Sequence, residues 1–543
     1  MAPDLIVVNG DIHTMDPARP VVEALAITAG RIMALGTTAD IRYLAGKGTR
    51  VIDAGGRMVL PGFQDAHIHL LNGGVDLVQT AYLYDATTIA ELQSLMAAHA
   101  SSYKGALVMG AGWQCGFFGD ENLTRAVLDA VVPDRPCLIY DGNFHNACLN
   151  SAACQMIGLD MDTPDPLNGH FVLDANGVPT GMLHEEAINW SLTRLPQMDD
   201  ETFREGLRAG QAHANRHGIT GIVDPWILSH HKRIYAEMAQ NGGLTLRVSG
   251  AANVMASEPV EDSVTRIIEW RAEQQHDYFQ INAAKFFLDG GLKNRTAAMI
   301  EPYADAPGGN APLMFSPDQI ARYFTAFDAA RFQIHVHCIG DMAVRAALDG
   351  FETARAANRE WPSLHQIAHV EVVHPLDLPR FAKLGVMANC QPLWAAWDPI
   401  IPDETMDMVG PARMPYVYPF RSLIDAGAPW CINSDFAVTT LNPFEIIETA
   451  VTRQTPRKRG QCDPFVPDQR ITAGEALLGY TRNAAAACWR SHHTGALMRG
   501  MSGDFIILDR NILSCDPYAI SETEVQLTVL AGHEVWRAAN FDG

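Results

Sequence analysis

Eight short apolar runs, separated by longer stretches of helical composition, constrain the fold of this chain more than any other feature. They are "GFQDAHIHL" (62–70), "GITGIVDPW" (218–226), "LRVSGAAN" (246–253), "INAAKFFLDG" (281–290), "FQIHVHCIG" (332–340), "HQIAHVEVV" (365–373), "GVMANCQP" (385–392) and "PWCINSDFA" (429–437). Strands this apolar are buried on both faces, and strands that alternate with helices form a parallel sheet. Eight such units predict an α/β fold closed into a (β/α)8 TIM barrel. One interval is too wide for a simple connection. Residues 71–217 carry strand-like runs of their own, such as "ALVMGAGWQ" and "PCLIYDGN". They read as a subdomain inserted over 75–215 on the loop after barrel strand 1.

The two ends of the chain share a different style. "LIVVNGDIHTMD", "VVEALAITAGRIMALG" and "TRVIDAGGRMVLPG" near the start, and "GDFIILDRN" and "VQLTVLAGHEVWRA" near the finish, are short apolar strands broken by turn pairs such as Asn-Gly and Gly-Gly. Chain ends often meet at a domain surface. The expectation is a small β-sandwich domain built from both termini, residues 1–60 and 496–543, around a barrel spanning 61–495.

Composition narrows the function classes. The 62 acidic and 40 basic residues leave a formal charge of −22, which opposes nucleic acid and anionic membrane surfaces as partners. The one basic cluster, "RQTPRKRG" (453–460), reads as a solvated loop. No apolar run approaches the ~20 residues of a membrane span, and "MAPDLIVVNGD" lacks the pattern of a secretory leader. The expectation is a cytoplasmic protein acting on a small molecule, with oligomeric state open and a homodimer as one option. The ten cysteines include no CxxC pair and read as reduced, mostly buried thiols. Cys115, in the glycine-rich "GWQCGFFG", is the exception to watch.

The strands contain residues that a barrel interior should exclude. His67 and His69 lie in the first run, Lys285 in the fourth, His335 and His337 in the fifth, His369 in the sixth and Asp435 in the eighth. Charged groups are seldom buried unless paired or coordinated, and barrel strand ends converge on one face. Singly, each has an ordinary explanation: a hydrogen-bonded core histidine, a snorkelling lysine, a capping aspartate. Together, on five of eight strands, they read as a metal site. In a strand, His67 and His69 would face the same side. Imidazole and carboxylate ligands suit zinc, manganese or iron. A lysine amine joins such a set only as a carbamate, and burial favours that reaction by freeing the neutral amine.

"PGFQDAHIHL", "AAKFFLDGG", "HVHCIGD", "IAHVE" and "INSDF", in that order, resemble the metal signature of the amidohydrolase superfamily of metal-dependent hydrolases. "KFFLDGGLKNRTAAMIEPY" (285–303), "FHNACLNSAA" (144–153) and "NGVPTGMLHEEA" (176–187) resemble its YtcJ-like branch, which includes N-substituted formamide deformylases. The resemblance implies that His67 and His69 bind the more buried of two zinc ions, with Mn2+ or Fe2+ as alternatives. It implies that carbamylated Lys285 bridges the pair and that His337 and His369 bind the second ion. Asp435 would contact the first ion and shuttle protons, so Asp435, Lys285 and His337 are the catalytic candidates. His335 would play a supporting role. His145, Trp113, Arg295 and Trp394 are the substrate-binding candidates, although "DGNFHNACLN" around His145 departs from the family pattern. Trp226 and Trp397 also follow strands, with pocket wall and core packing both open.

The implied reaction is hydrolysis of an amide-type C–N bond, in an N-substituted formamide or other N-acyl amine, by metal-activated hydroxide. Alternatives on the same site are hydrolysis of a cyclic amide, carbamate or lactone, or a mononuclear deaminase. A catalytically dead scaffold is opposed by the complete ligand set.

Overall fold

The computed structural model describes residues 2–113, 123–142, 146–166, 169–292, 295–397 and 402–543. The chain divides into two compact units, one of residues 1–69 and 211–543 and the other of residues 70–210.

The larger unit contains a parallel sheet of eight strands that follow one another in chain order: β1 (Phe63–Asp65), β2 (Ile219–Ile227), β3 (Arg247–Asn253), β4 (Phe279–Phe287), β5 (Gln333–Cys338), β6 (Gln366–His369), β7 (Met387–Cys390) and β8 (Trp430–Ile432). Only parallel pairings join them. The ring closes beyond the strand ends, where Asp435 N donates to His67 O at 2.9 Å and His69 N to Phe436 O at 2.6 Å. This is the expected TIM-barrel arrangement.

Helices follow the strands for readable local reasons. Pro317–Ala329 starts on a capping box in which Ser316 accepts from Gln319 N and the Gln319 side chain returns to Ser316 N, with Pro317 at the first helical position. Leu378–Leu384 ends at Gly385, whose φ of 64° lets it take the left-handed stop. Phe286 of β4 faces outward into a helix-borne aromatic cluster of Phe324, Phe327 and Tyr323, with ring centres 5.3 to 6.1 Å away. Outward aromatics bind helices to the barrel; Lys285, next to Phe286, points the other way.

Both termini contribute to the remaining two sheets of this unit. Phe505–Leu508 pairs antiparallel with Met58–Pro61 in a six-stranded sheet, while a four-stranded sheet is built from N-terminal strands alone. Leu5, Val7, Leu25, Ile27, Ile507, Leu527 and Val529 fill the space between the sheets. A buried ion pair, Arg247 with Asp504, joins this sandwich to β3; Arg247 Nη2 also donates to Ser502 Oγ at 2.9 Å.

The smaller unit is a six-stranded mixed sheet, covered on both faces. The period of two is visible in Val108 and Met109, or Ile139 and Leu138, which enter opposite cores. Trp113 is 1% exposed and packs with Leu83, Val108 and Cys148. The expected substrate contact is not what the packing shows: a strand end in a sheet covered on both faces makes Trp113 a core residue of this unit. Among the described residues, no helix is long and apolar enough to cross a membrane, and nine cysteines are free thiols. Cys115 lies outside the described residues.

Candidate metal centre

Asp435 is the hub. Its Oδ1 stands 3.5 Å from His67 Nε2 and 3.3 Å from His69 Nε2, and its Oδ2 is 3.8 Å from His369 Nδ1. One ligand atom each from His67, His369 and Asp435 lie within 4.8 Å of one another, close enough to share one ion. The rings of His337 and His369 are 4.3 Å apart. These residues come from the ends of β1, β5, β6 and β8, where a barrel concentrates its chemistry.

The first two candidate ligands do not lie on the strand expected to carry them. β1 stops at Asp65, because that carboxylate takes over the pairing: it accepts from His67 N at 3.1 Å and from Ser434 N at 3.2 Å. His67 and His69 follow in irregular backbone held by the ring-closing bonds. They still converge, through Asp435, instead of through strand alternation. His369 and Asp435 adopt φ of 79° and 51°, and Val370 adopts 44°. Non-glycine residues in that region cost about 1–3 kcal/mol each, and such strain gathers at functional sites.

Beneath the histidines runs a chain of buried amides. Gln366 Nε2 donates to Gln333 Oε1 at 2.8 Å, Asn389 Nδ2 to Gln366 Oε1 at 2.7 Å, Asn433 Nδ2 to Asn389 Oδ1, and Gln391 Nε2 to Asn433 Oδ1 at 3.0 Å. Asn389 Nδ2 also donates to Ala66 O at 3.0 Å, beside His67. The chain crosses from β5 to β8 and ties the strands together below the candidate ligands. Asp289 does the same for the loop after β4: it accepts from Ala298, Ile339 and Gly340 N at 2.8 to 3.0 Å, and burial pushes its carboxyl up to about 7.

The donor atoms fit a cation. Lys285 Nζ, His369 Nδ1 and Asp435 Oδ1 are buried without hydrogen-bond partners, an arrangement that costs free energy unless something occupies them. Burial, reinforced by neighbouring charge, holds His67 and His369 well below the ordinary imidazole range and His337 at about 3, so all three are neutral and able to coordinate. Burial pushes the Lys285 amine down to about 7, against the pull of Asp435. Its Nζ lies 4.6 Å from the Phe287 ring centre.

The substrate-binding candidates separate. Trp394 stacks on His369 of the candidate centre. Arg295 lies on an exposed loop and is paired with Asp305. His145 lies outside the described residues. Trp226 meets Phe287 edge-on at 5.2 Å, and Trp397 meets Phe465 at 4.7 Å. The "SHH" at 229–231 reads as solvated, yet His231 is buried and its Nδ1 accepts from Leu228 N at 3.4 Å, capping a helix.

The Amidohydrolase family model matches residues 50–536. The chain is 28% identical over 535 residues to Protein LONG AFTER FAR-RED 3 of Arabidopsis thaliana, covering 97% of this chain and 90% of that one. It is 27% identical over 547 residues to N-substituted formamide deformylase of Arthrobacter pascens, covering 97% of both. An uncharacterized metal-dependent hydrolase from Pyrococcus horikoshii superposes with a TM-score of 0.79 at 24% identity, covering 94% of this chain and 99% of that one. With eight parallel strands delivering four histidines, a lysine and an aspartate to one face of the barrel, and a family match spanning nearly all of it, the chain belongs to the amidohydrolase family.

Proposed function

We propose that this protein hydrolyses an amide-type C–N bond, in an N-substituted formamide or another N-acyl amine, using a divalent metal centre. The observation that carries the reading is Asp435: a buried carboxylate facing three imidazoles, with Oδ1 free of hydrogen bonds.

His67, His69 and Asp435 would hold the first cation, and His337 and His369 the second, with Lys285 as a carbamate between them. Zinc suits this nitrogen–oxygen set, and Mn2+ or Fe2+ can use the same donors. A cation bound there activates water and polarises a carbonyl. Asp435 is placed to take the proton of the attacking water and hand it to the departing nitrogen as the C–N bond breaks. Asp65 and the amide chain keep that carboxylate and His67 in place during the exchange. Trp394 walls the centre beside His369 and offers an apolar face to a substrate's organic substituent. The similarity to the deformylase along 97% of both chains supports the formamide class.

A mononuclear site is the second reading, favoured by the one close trio among the described residues, His67, His369 and Asp435. Zinc- and manganese-loaded protein, tested against formamides, acetamides, N-acyl amino acids, hydantoins, carbamates, lactones and aminopurines, separates these classes. Release of an amine with formate or another carboxylate is expected. Turnover of only lactones or carbamates, or ammonia release from one metal per chain, overturns the proposal.

A further inference from the structure

We infer that His335 is a positioning residue for His67: it accepts the Nδ1–H hydrogen bond that leaves His67 Nε2 bare to hold a cation. The inference rests on the metal-centre reading above and adds a residue to it.

His335 is fully buried on β5, and its Nε2 lies 2.9 Å from His67 Nδ1, with ring centres 4.8 Å apart. A neutral imidazole carries one N–H and one bare nitrogen, and a contact between two ring nitrogens needs one donor and one acceptor. The contact therefore has two directions. If His335 Nε2 donates, the proton of His67 sits on Nε2, the nitrogen that faces Asp435 Oδ1 at 3.5 Å, and that nitrogen cannot coordinate. If His67 Nδ1 donates, Nε2 is bare and aimed at the space shared with Asp435 and His369. Only the second direction is compatible with a bound cation.

Metal-ligating histidines commonly give their other N–H to a carboxylate, a backbone carbonyl or water. Here the acceptor is a second imidazole. Unlike a carboxylate, it fixes the tautomer without adding negative charge to a pocket that already holds Asp435. The arrangement obliges His335 to keep its proton on Nδ1, and that nitrogen is buried without a hydrogen-bond partner. His335 is also in register with Lys285 on β4, so the two side chains leave the sheet on the same face.

The test compares zinc affinity of the full-length metal-stripped protein by competition with a chromophoric chelator. His335→Leu fills the space but removes the acceptor; His335→Gln returns a carbonyl oxygen near the position of Nε2. The leucine variant should bind the tighter zinc about 10- to 100-fold more weakly, and the glutamine variant should recover most of that loss, with both melting close to wild type. Should the leucine variant not fold, His335→Asn, whose amide is one carbon too short to reach His67, takes its place. Wild-type affinity in the leucine or asparagine variant overturns the assignment. So does loss of a whole zinc equivalent that glutamine does not restore, which would make His335 a ligand. If wild-type protein binds no zinc, the metal-centre reading itself fails, a result distinct from either.

Discussion

The indole of Trp394 lies parallel to the imidazole of His369, with ring centres 5.3 Å apart and planes 6° from parallel. His369 is also, like Asp435, a candidate ligand with left-handed backbone, so its side chain is set by packing against an aromatic wall as much as by the strand. Such ring pairs contribute ~0.5–1.5 kcal/mol beyond their buried area.

Trp394→Ala should therefore loosen His369 and weaken metal binding by roughly 2- to 10-fold, the range those energies convert to. Apolar substrates should lose affinity as well. Chelator competition and KM measured side by side check this. Unchanged values for both would reduce Trp394 to a loop residue.

Asp435→Asn keeps the shape of the hub but removes the base. Turnover should fall by at least the ~10²–10⁴ typical of general acid–base groups, while the imidazoles retain part of the metal. The measurement is kcat at equal metal occupancy. Wild-type kcat in the loaded variant would remove Asp435 from the proton path.

Lys285 gives the account its pH dependence. Its folded-state pKa is lowered to about 7 by burial, so the neutral, carbamate-forming amine is the minor species below that pH and the major one above it. Uptake of 13C-bicarbonate by the protein should rise between pH ~6 and ~8, where an exposed lysine near pKa ~10.4 would barely change. The carbamate carbon signal should be absent in Lys285→Ala, and millimolar short-chain carboxylic acids should restore part of that variant's metal and activity. A Lys285→Ala protein that holds two metals and works without added acid would favour the mononuclear reading.

The barrel was legible because its strands are buried on both faces, so β4 and β5 stand out as apolar runs wherever they are read. The candidate ligands stood out for the converse reason: Lys285, His369 and Asp435 interrupt runs that should tolerate no charge. What the pattern could not show was backbone that leaves the strand. His67 and His69 look like strand alternation, but Asp65 ends β1 by capturing two backbone N–H groups, a tertiary bond invisible in the one-dimensional spacing. Trp113 stands at a strand end, the place that suggested a pocket residue, but its partners across the sheet bury it. His231 was hidden by a polar neighbourhood, "SHHKR", in which one helix face turns inward.

The central claim is that the histidine–aspartate cluster is a metal centre that performs the hydrolysis, and metal content measured with activity tests it most directly. Wild-type protein, His67→Ala and His369→Ala should be stripped, reloaded with zinc, desalted and assayed for bound metal and for formate released from an aryl-substituted formamide. The account predicts one to two zinc ions per chain and formate release in wild type, with both reduced sharply in each variant and the fold retained. Equal zinc in all three proteins, or the same hydrolysis by the stripped wild type, would contradict it.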